Sequence, residues 1–247
     1  MDAAADEGDA RHPETGRAAL LRGWRYQFAV LLLAVLAGTL TWLARTVLYF
    51  PVDVQVTQAV QSVQAPWLVR LFETVAWIGF PPQSNVIFGL VIVGLFLVGL
   101  RLEAISTLFA AAGSAALWYW IAELVDRPRP SPELVHVAMQ LPTGGFPSGH
   151  VLNLTAIFGF LIYLTVVLVP DLRIRVPIVS VLSVPILTIG VARVYDGAHW
   201  PSDVLGGYLI GAIWLALTIE LYRWLCKRWR AAPSGAYSAR RRPIRSP

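Results

Sequence analysis

Charge is scarce in this chain. Asp, Glu, Lys and Arg together make up 14% of its 247 residues, against 56% hydrophobic residues. Soluble domains carry about 25% charged residues, so this deficit excludes an ordinary soluble globular protein. Cysteine is nearly missing as well. Cys226 stands alone, which excludes an intrachain disulfide. No internal repeat is present, which argues against a solenoid or propeller.

What fills the chain instead is apolar sequence, with a mean hydropathy of +0.60. Uncharged runs of about 17 to 20 residues can cross a hydrocarbon core of roughly 30 Å as helices. Five such runs stand out, at Tyr26–Ala44, Ser84–Leu100, Val151–Val169, Val176–Ala192 and Val204–Ile219. A sixth, Ala104–Val125, contains one acid, Glu123. The expected fold is therefore all-α: a polytopic membrane protein with six transmembrane helices in a bundle. Between the first two spans, Val54, Val56, Ala59, Val60 and Val63 alternate with Gln and Thr. They predict an amphipathic interfacial helix, followed from Pro66 by a more apolar segment that ends near Pro81 and Pro82.

A net charge of +5 would suggest nucleic acid in a soluble protein, but here position matters more than sum. Placing both termini in the cytoplasm puts 15 of the 20 basic residues on the inner side, as the positive-inside rule requires. No nucleic-acid partner is expected. The first run outlasts a signal-peptide core and lacks a small-residue cleavage site, so it reads as an uncleaved anchor. Residues 1–24 read as a disordered cytoplasmic tail, 25–226 as the membrane domain, and 227–247 as a basic cytoplasmic tail. The tail's "RRRPIR" is suited to anionic headgroups of the inner leaflet. Small residues at 109–116 and at Gly206, Gly207 and Gly211 suit close helix approach, while Trp118, Tyr119 and Trp120 read as interfacial aromatics.

Three polar segments fall at the outer ends of these spans: "DRPRP" (126–130), "FPSGH" (146–150) and "ARVYDGAHWPSD" (192–203). Ionisable residues at a membrane edge are expensive and default to function. In an extended "DRPRP", Arg127 and Arg129 would point the same way. "PSGH" suits a helix start, where Ser148 and the Gly149 N–H can meet an anion and His150 lies on the first turn. Pro201 suits a first helical turn, which sets His199 and Asp203 one turn apart on one side. Asp203 is then placed to hold the imidazole N–H and make His199 a nucleophile. A lone His–Asp pair is more often structural, but three converging segments favour a phosphoryl-transfer site. It has Arg129, Arg193, Ser148 and Gly149 as anion donors and His150 as the proton donor.

These residues resemble the type 2 phosphatidic acid phosphatase superfamily, whose pattern is K-x6-RP, then PSGH, then SR-x5-H-x3-D. The match runs through Arg129-Pro130, Pro147 to His150, Arg193, His199 and Asp203. Two positions depart from it: Ala122 stands where the family has its lysine, and Ala192 where it has serine. The resemblance implies a metal-independent phosphatase without cofactors. In it His199 forms a phosphohistidine, Asp203 orients His199, His150 protonates the leaving group, and Arg129 and Arg193 bind phosphate. Arg127 is an auxiliary phosphate ligand in place of the lysine. The implied substrate is a lipid phosphate at the outer face of a bacterial plasma membrane, with polyprenyl diphosphate first, then phosphatidic acid or phosphatidylglycerol phosphate. The alternatives are a lipid phosphotransferase using the same site, or a non-catalytic lipid phosphate binding or transport protein in which Ala122 marks the lost activity.

Overall fold

The computed structural model describes residues 14–138, 141–142 and 144–231, and all regular structure in them is helical. Eight helices follow in order: α1 (Glu14–Thr46), α2 (Pro51–Gln61), α3 (Pro66–Gly79), α4 (Gln83–Leu97), α5 (Arg101–Val125), α6 (Gly149–Leu168), α7 (Leu172–Tyr195) and α8 (Pro201–Ala231). Helix α1 starts inside the stretch expected as an N-terminal tail, and α8 continues past residue 226. The "RRRPIR" cluster lies outside the described residues.

Within α1, α5, α6, α7 and α8 the structure has a helix long and apolar enough to span a membrane. The second expected span is different. Helix α4 has 15 residues, about 22 Å at 1.5 Å per residue, which is short of a hydrocarbon core. It follows α3 after a 65° bend, and the two pass as a span only as a pair. The cause is Pro81-Pro82. Proline lacks an amide donor and disfavours helical geometry in its predecessor, and Phe80 is extended at ψ 140°.

Helix α6 is the centre, packed against α5, α7 and α8. Its Val151, Leu152, Ala156 and Phe160 are fully buried. Glycine explains how closely α8 approaches it. A Cβ on Gly207 would lie 2.9 Å from the Ser148 carbonyl oxygen, and one on Gly211 would lie 2.9 Å from that of Leu152. Outward-facing apolar side chains such as Leu31, Val35, Leu97, Val181 and Leu187 are exposed, as residues that face lipid would be.

Helix α2 buries Asp53 and Thr57, whereas its Val52 and Val56, and Val63 just beyond it, stay exposed. The polar side faces inward because it answers polar groups there. Gln58 donates to the Leu134 carbonyl at 3.0 Å, and Gln61 donates to those of His136 and Tyr195 at 2.8 and 2.9 Å. The helix thus fastens the loop between α5 and α6 to the end of α7. Among the trio of aromatics on α5, Tyr119 and Trp120 are exposed, but Trp118 turns inward against Gly149.

Candidate active site

The loop from α7 to α8 carries His199, and backbone geometry holds it tightly. Ala198 and His199 both donate their N–H groups to the Arg193 carbonyl, at 3.1 and 3.3 Å. Gly197 has φ +63°, and a Cβ there would come within 2.0 Å of the His136 carbonyl oxygen, so only glycine fits this turn. Pro201 then starts α8, and Asp203 in its first turn accepts the Trp200 N–H at 2.9 Å as a helix cap.

His199 is buried, and its Nδ1 lies 2.7 Å from the Gly145 carbonyl oxygen. A carbonyl only accepts, so Nδ1 carries the proton and Nε2 keeps its lone pair. Nε2 faces Arg129 Nη1 at 3.2 Å. Burial foremost, then the positive charges of Arg129 and Arg193, hold the ring's pKa well below the ordinary 6.5. The ring is therefore neutral, with one nitrogen available to a phosphorus atom. Asp203 was expected to hold that N–H, but its Oδ2 is 3.9 Å from Nδ1. The Gly145 carbonyl takes the hydrogen bond instead, and Asp203 contributes negative charge alongside.

Arg129, Arg193 and His150 all lie within electrostatic reach of the His199 ring. Arg129 also donates to the carbonyls of Ala198 (2.6 Å) and Gly144 (3.3 Å), which fix its guanidinium beside the histidine. Burial and Arg193 lower its pKa to about 10, partly opposed by Asp203, so it stays charged at neutral pH. Arg193 is buried at the end of α7. Its Nη1 lies 3.2 Å from Asp196 Oδ2, within ion-pair range but out of line for a hydrogen bond. Its Nε and Nη1, Ser148 Oγ and His150 Nε2 are all buried with no hydrogen-bond partner among the described residues. Unpaired buried donors cost about 1–3 kcal/mol each, so the Arg193 N–H groups and the Ser148 hydroxyl point to an anion that would satisfy them. Ser148 and Gly149 stand where α6 begins, and the unpaired amides and positive dipole end of a first turn favour that anion further. A cavity of about 300 Å³ opens beside Arg129, lined also by Pro130, Pro132, Val137, Leu141 and Gly197.

Arg127 does not belong to this cluster. Expected to point with Arg129 at phosphate, it is instead wholly buried in a separate network. Its Nη1 donates to Asp203 Oδ1 at 2.6 Å and Ser202 Oγ at 2.7 Å, and Nη2 to Asp53 Oδ2 at 3.2 Å. Nε reaches the Val47 and Leu48 carbonyls, and Phe50 covers the guanidinium at 5.2 Å. Two buried carboxylates draw it away from the site, and with them it ties the connection after α1, α2 and α8 together behind Asp203. Ala122, where the family lysine would stand, is buried on α5, its carbonyl accepting the Asp126 N–H at 2.9 Å. Three contributors carry no motif signal in the sequence: Gly145, Asp53 and Ser202. Among the described residues, no three His, Cys, Asp or Glu side chains are placed to hold a metal ion.

Residues 103–227 match the model of the PAP2 superfamily. Phosphatidylglycerophosphatase B of Bacillus subtilis (strain 168) is 26% identical over 166 residues, spanning 65% of this chain and 78% of that protein. The crystal structure of the first transmembrane PAP2 type phosphatidylglycerolphosphate phosphatase, from Bacillus subtilis, has the same fold. Its TM-score is 0.66 at 20% identity, covering 77% of this chain and 96% of that one. LpxE of Aquifex aeolicus superposes with a TM-score of 0.55 at 24% identity, over 69% and 96% of the two chains. The matched segment takes in just over half of this sequence and every residue from Arg129 to Asp203 that builds the cluster around His199, and the chain belongs to the PAP2 superfamily.

Proposed function

We propose that the protein is an integral membrane lipid phosphatase, which hydrolyses a lipid phosphomonoester or diphosphate through a phosphohistidine on His199. The observation that carries this reading is the His199 ring. It is neutral, its Nδ1–H is given to the Gly145 carbonyl, and its Nε2 lone pair lies among arginine donors. In the first step Nε2 attacks phosphorus, the bond from phosphorus to the leaving oxygen breaks, and His150 gives that oxygen a proton. In the second, His150 takes a proton from water, the water oxygen attacks phosphorus, the N–P bond breaks and inorganic phosphate leaves. Arg129, Arg193, Ser148 and the amides at the start of α6 neutralise the equatorial oxygens throughout. Asp203, fixed by Arg127 and the Trp200 N–H, stabilises the positive charge that the ring acquires.

The proposal includes independence from metals, an outer-face site in a bacterial plasma membrane, and cytoplasmic termini. Polyprenyl diphosphate remains the first substrate, with phosphatidic acid and phosphatidylglycerol phosphate next; the name of the Bacillus subtilis relative adds weight to the last. The test is a substrate panel in detergent micelles with and without EDTA. One free phosphate per dephosphorylated lipid, unchanged by chelator, is expected. Transfer of the phosphoryl group to a second alcohol, or binding without turnover, would replace this reading.

The state of His199 gives a further expected result. Its folded pKa is depressed, so the ring in the free protein stays neutral as the pH falls through 6.5. Nitrogen NMR of histidine-labelled protein, assigned with His199→Gln, should show its Nε2 as an unprotonated acceptor from pH 8 to 6. An exposed histidine titrates over that range. The unfolded chain does take up this proton below about 6.5, so the residue also withdraws stability as the pH drops below that value.

A further inference from the structure

We infer that Phe80, carried on the break between α3 and α4, is a positioning residue that holds His150 in place for proton transfer. The inference rests on the role proposed for His150. The Phe80 ring meets the imidazole of His150 edge to face, with centroids 4.5 Å apart and planes at 77°. The same ring lies under the Arg193 guanidinium, 5.1 Å from its carbon. One side chain therefore touches both the proposed proton carrier and a proposed phosphate ligand.

Its neighbourhood is built for that contact. His150 Nε2 and Arg193 Nε and Nη1 have no hydrogen-bond partner among the described residues, so hydrogen bonds at those atoms do not orient the two groups. The Ala76 backbone, also from α3, lies close to the same imidazole. Gly79 leaves the room that the ring occupies: a Cβ there would lie 2.3 Å from His150 Cδ2. The turn itself is fastened. Gln83, oriented by its neighbours, donates to the Phe80 carbonyl at 2.9 Å and accepts from Trp77 Nε1 at 3.0 Å. The Ser84 N–H reaches the same carbonyl at 2.9 Å. Aromatic and cation–π contacts of this kind are individually modest, but they act at centroid distances of about 4.5–7 Å and fix geometry. Ala76, Gly79 and Phe80 all precede residues 103–227, the segment that matches the family model. The bend between α3 and α4 thus delivers a wall of the site that the family motifs do not contain.

The experiment compares two phosphates in one preparation. Phosphatidic acid has a poor alkoxide leaving group that needs a proton, whereas p-nitrophenyl phosphate leaves readily as its anion. For Phe80→Leu, kcat/KM on phosphatidic acid should fall about 10- to 100-fold, no more than the lower end of the roughly 10²–10⁴-fold that positioned acid–base groups contribute. On p-nitrophenyl phosphate it should fall several-fold less. Gly79→Ala, whose methyl group displaces the imidazole, should show the same selectivity, and Phe80→Tyr should restore phosphatidic acid turnover to near the parent rate. The ratio of the two losses does not depend on the folded fraction, so a poorly folding variant still reports. Equal losses on both substrates, or none, with an active parent overturn the inference alone. A parent that turns over neither these two phosphates nor polyprenyl diphosphate overturns the phosphatase reading and this inference together.

Discussion

Replacing His199 with alanine should remove turnover almost completely, by about 10⁴-fold or more in kcat, on any phosphate the protein accepts. Knocking out the nucleophile of a covalent mechanism costs on the order of 10⁶-fold in well-studied hydrolases, and the residue left after such a loss comes from the oxyanion donors alone. Here those donors remain, because Arg129 is held by the Ala198 and Gly144 carbonyls as well as by its contact with His199. The variant should therefore still bind a lipid phosphate while failing to cleave it, which separates lost chemistry from lost binding. A quenched reaction of the parent with radiolabelled substrate should show an acid-labile phosphoryl group on the protein, and the alanine variant should show none. Turnover by His199→Ala within tenfold of the parent would mean that another group attacks phosphorus.

The site was readable in the sequence where a motif sits at a helix end. Ser148 and Gly149 start α6, Arg193 ends α7 and Asp203 caps α8, so spacing alone placed them on a common rim. What spacing could not supply was the choice among partners. His199 and Asp203 are one turn apart, yet the imidazole proton goes to Gly145, 54 residues earlier in the chain, because that carbonyl lies in line at 2.7 Å. Likewise the two-residue spacing of Arg127 and Arg129 suggested a common direction. It failed because Asp53, in a helix whose inward face is polar, offers Arg127 a buried carboxylate on the far side of Asp203. The bend ahead of the second span has a local cause in Pro81-Pro82, where the segment from Pro66 was expected to end, but its consequence is not local. The bend carries Phe80 onto His150, a contact between segments 70 residues apart. Backbone acceptors and long-range aromatic contacts leave no periodic mark, which is why these links appear only in the folded chain.

Arg127→Met should destabilise the protein by about 3–5 kcal/mol, the range for removing one partner of a buried ion pair. The methionine roughly fills the volume of the arginine stem, so the loss is electrostatic more than steric. It leaves Asp53 and Asp203, both about 1% exposed or less, facing one another without the cation between them. Ser202 and the Phe50 and Trp200 amides still donate to these carboxylates, and they limit the loss without neutralising charge. The effect is measurable as a lower midpoint of denaturation in a mild detergent, followed by tryptophan fluorescence. A double mutant separates the causes. If stranded negative charge is the source, adding Asp53→Asn to Arg127→Met should recover part of the stability, although Asp53→Asn alone should lower it. Strict additivity of the two losses would instead assign Arg127 a packing role. The same variant tests whether the network serves the site, because Arg127 fixes one oxygen of Asp203 while the other lies 3.9 Å from His199. Loosening that carboxylate should lower kcat more than it raises KM, since the charge it opposes appears on the imidazole only as phosphorus is attacked.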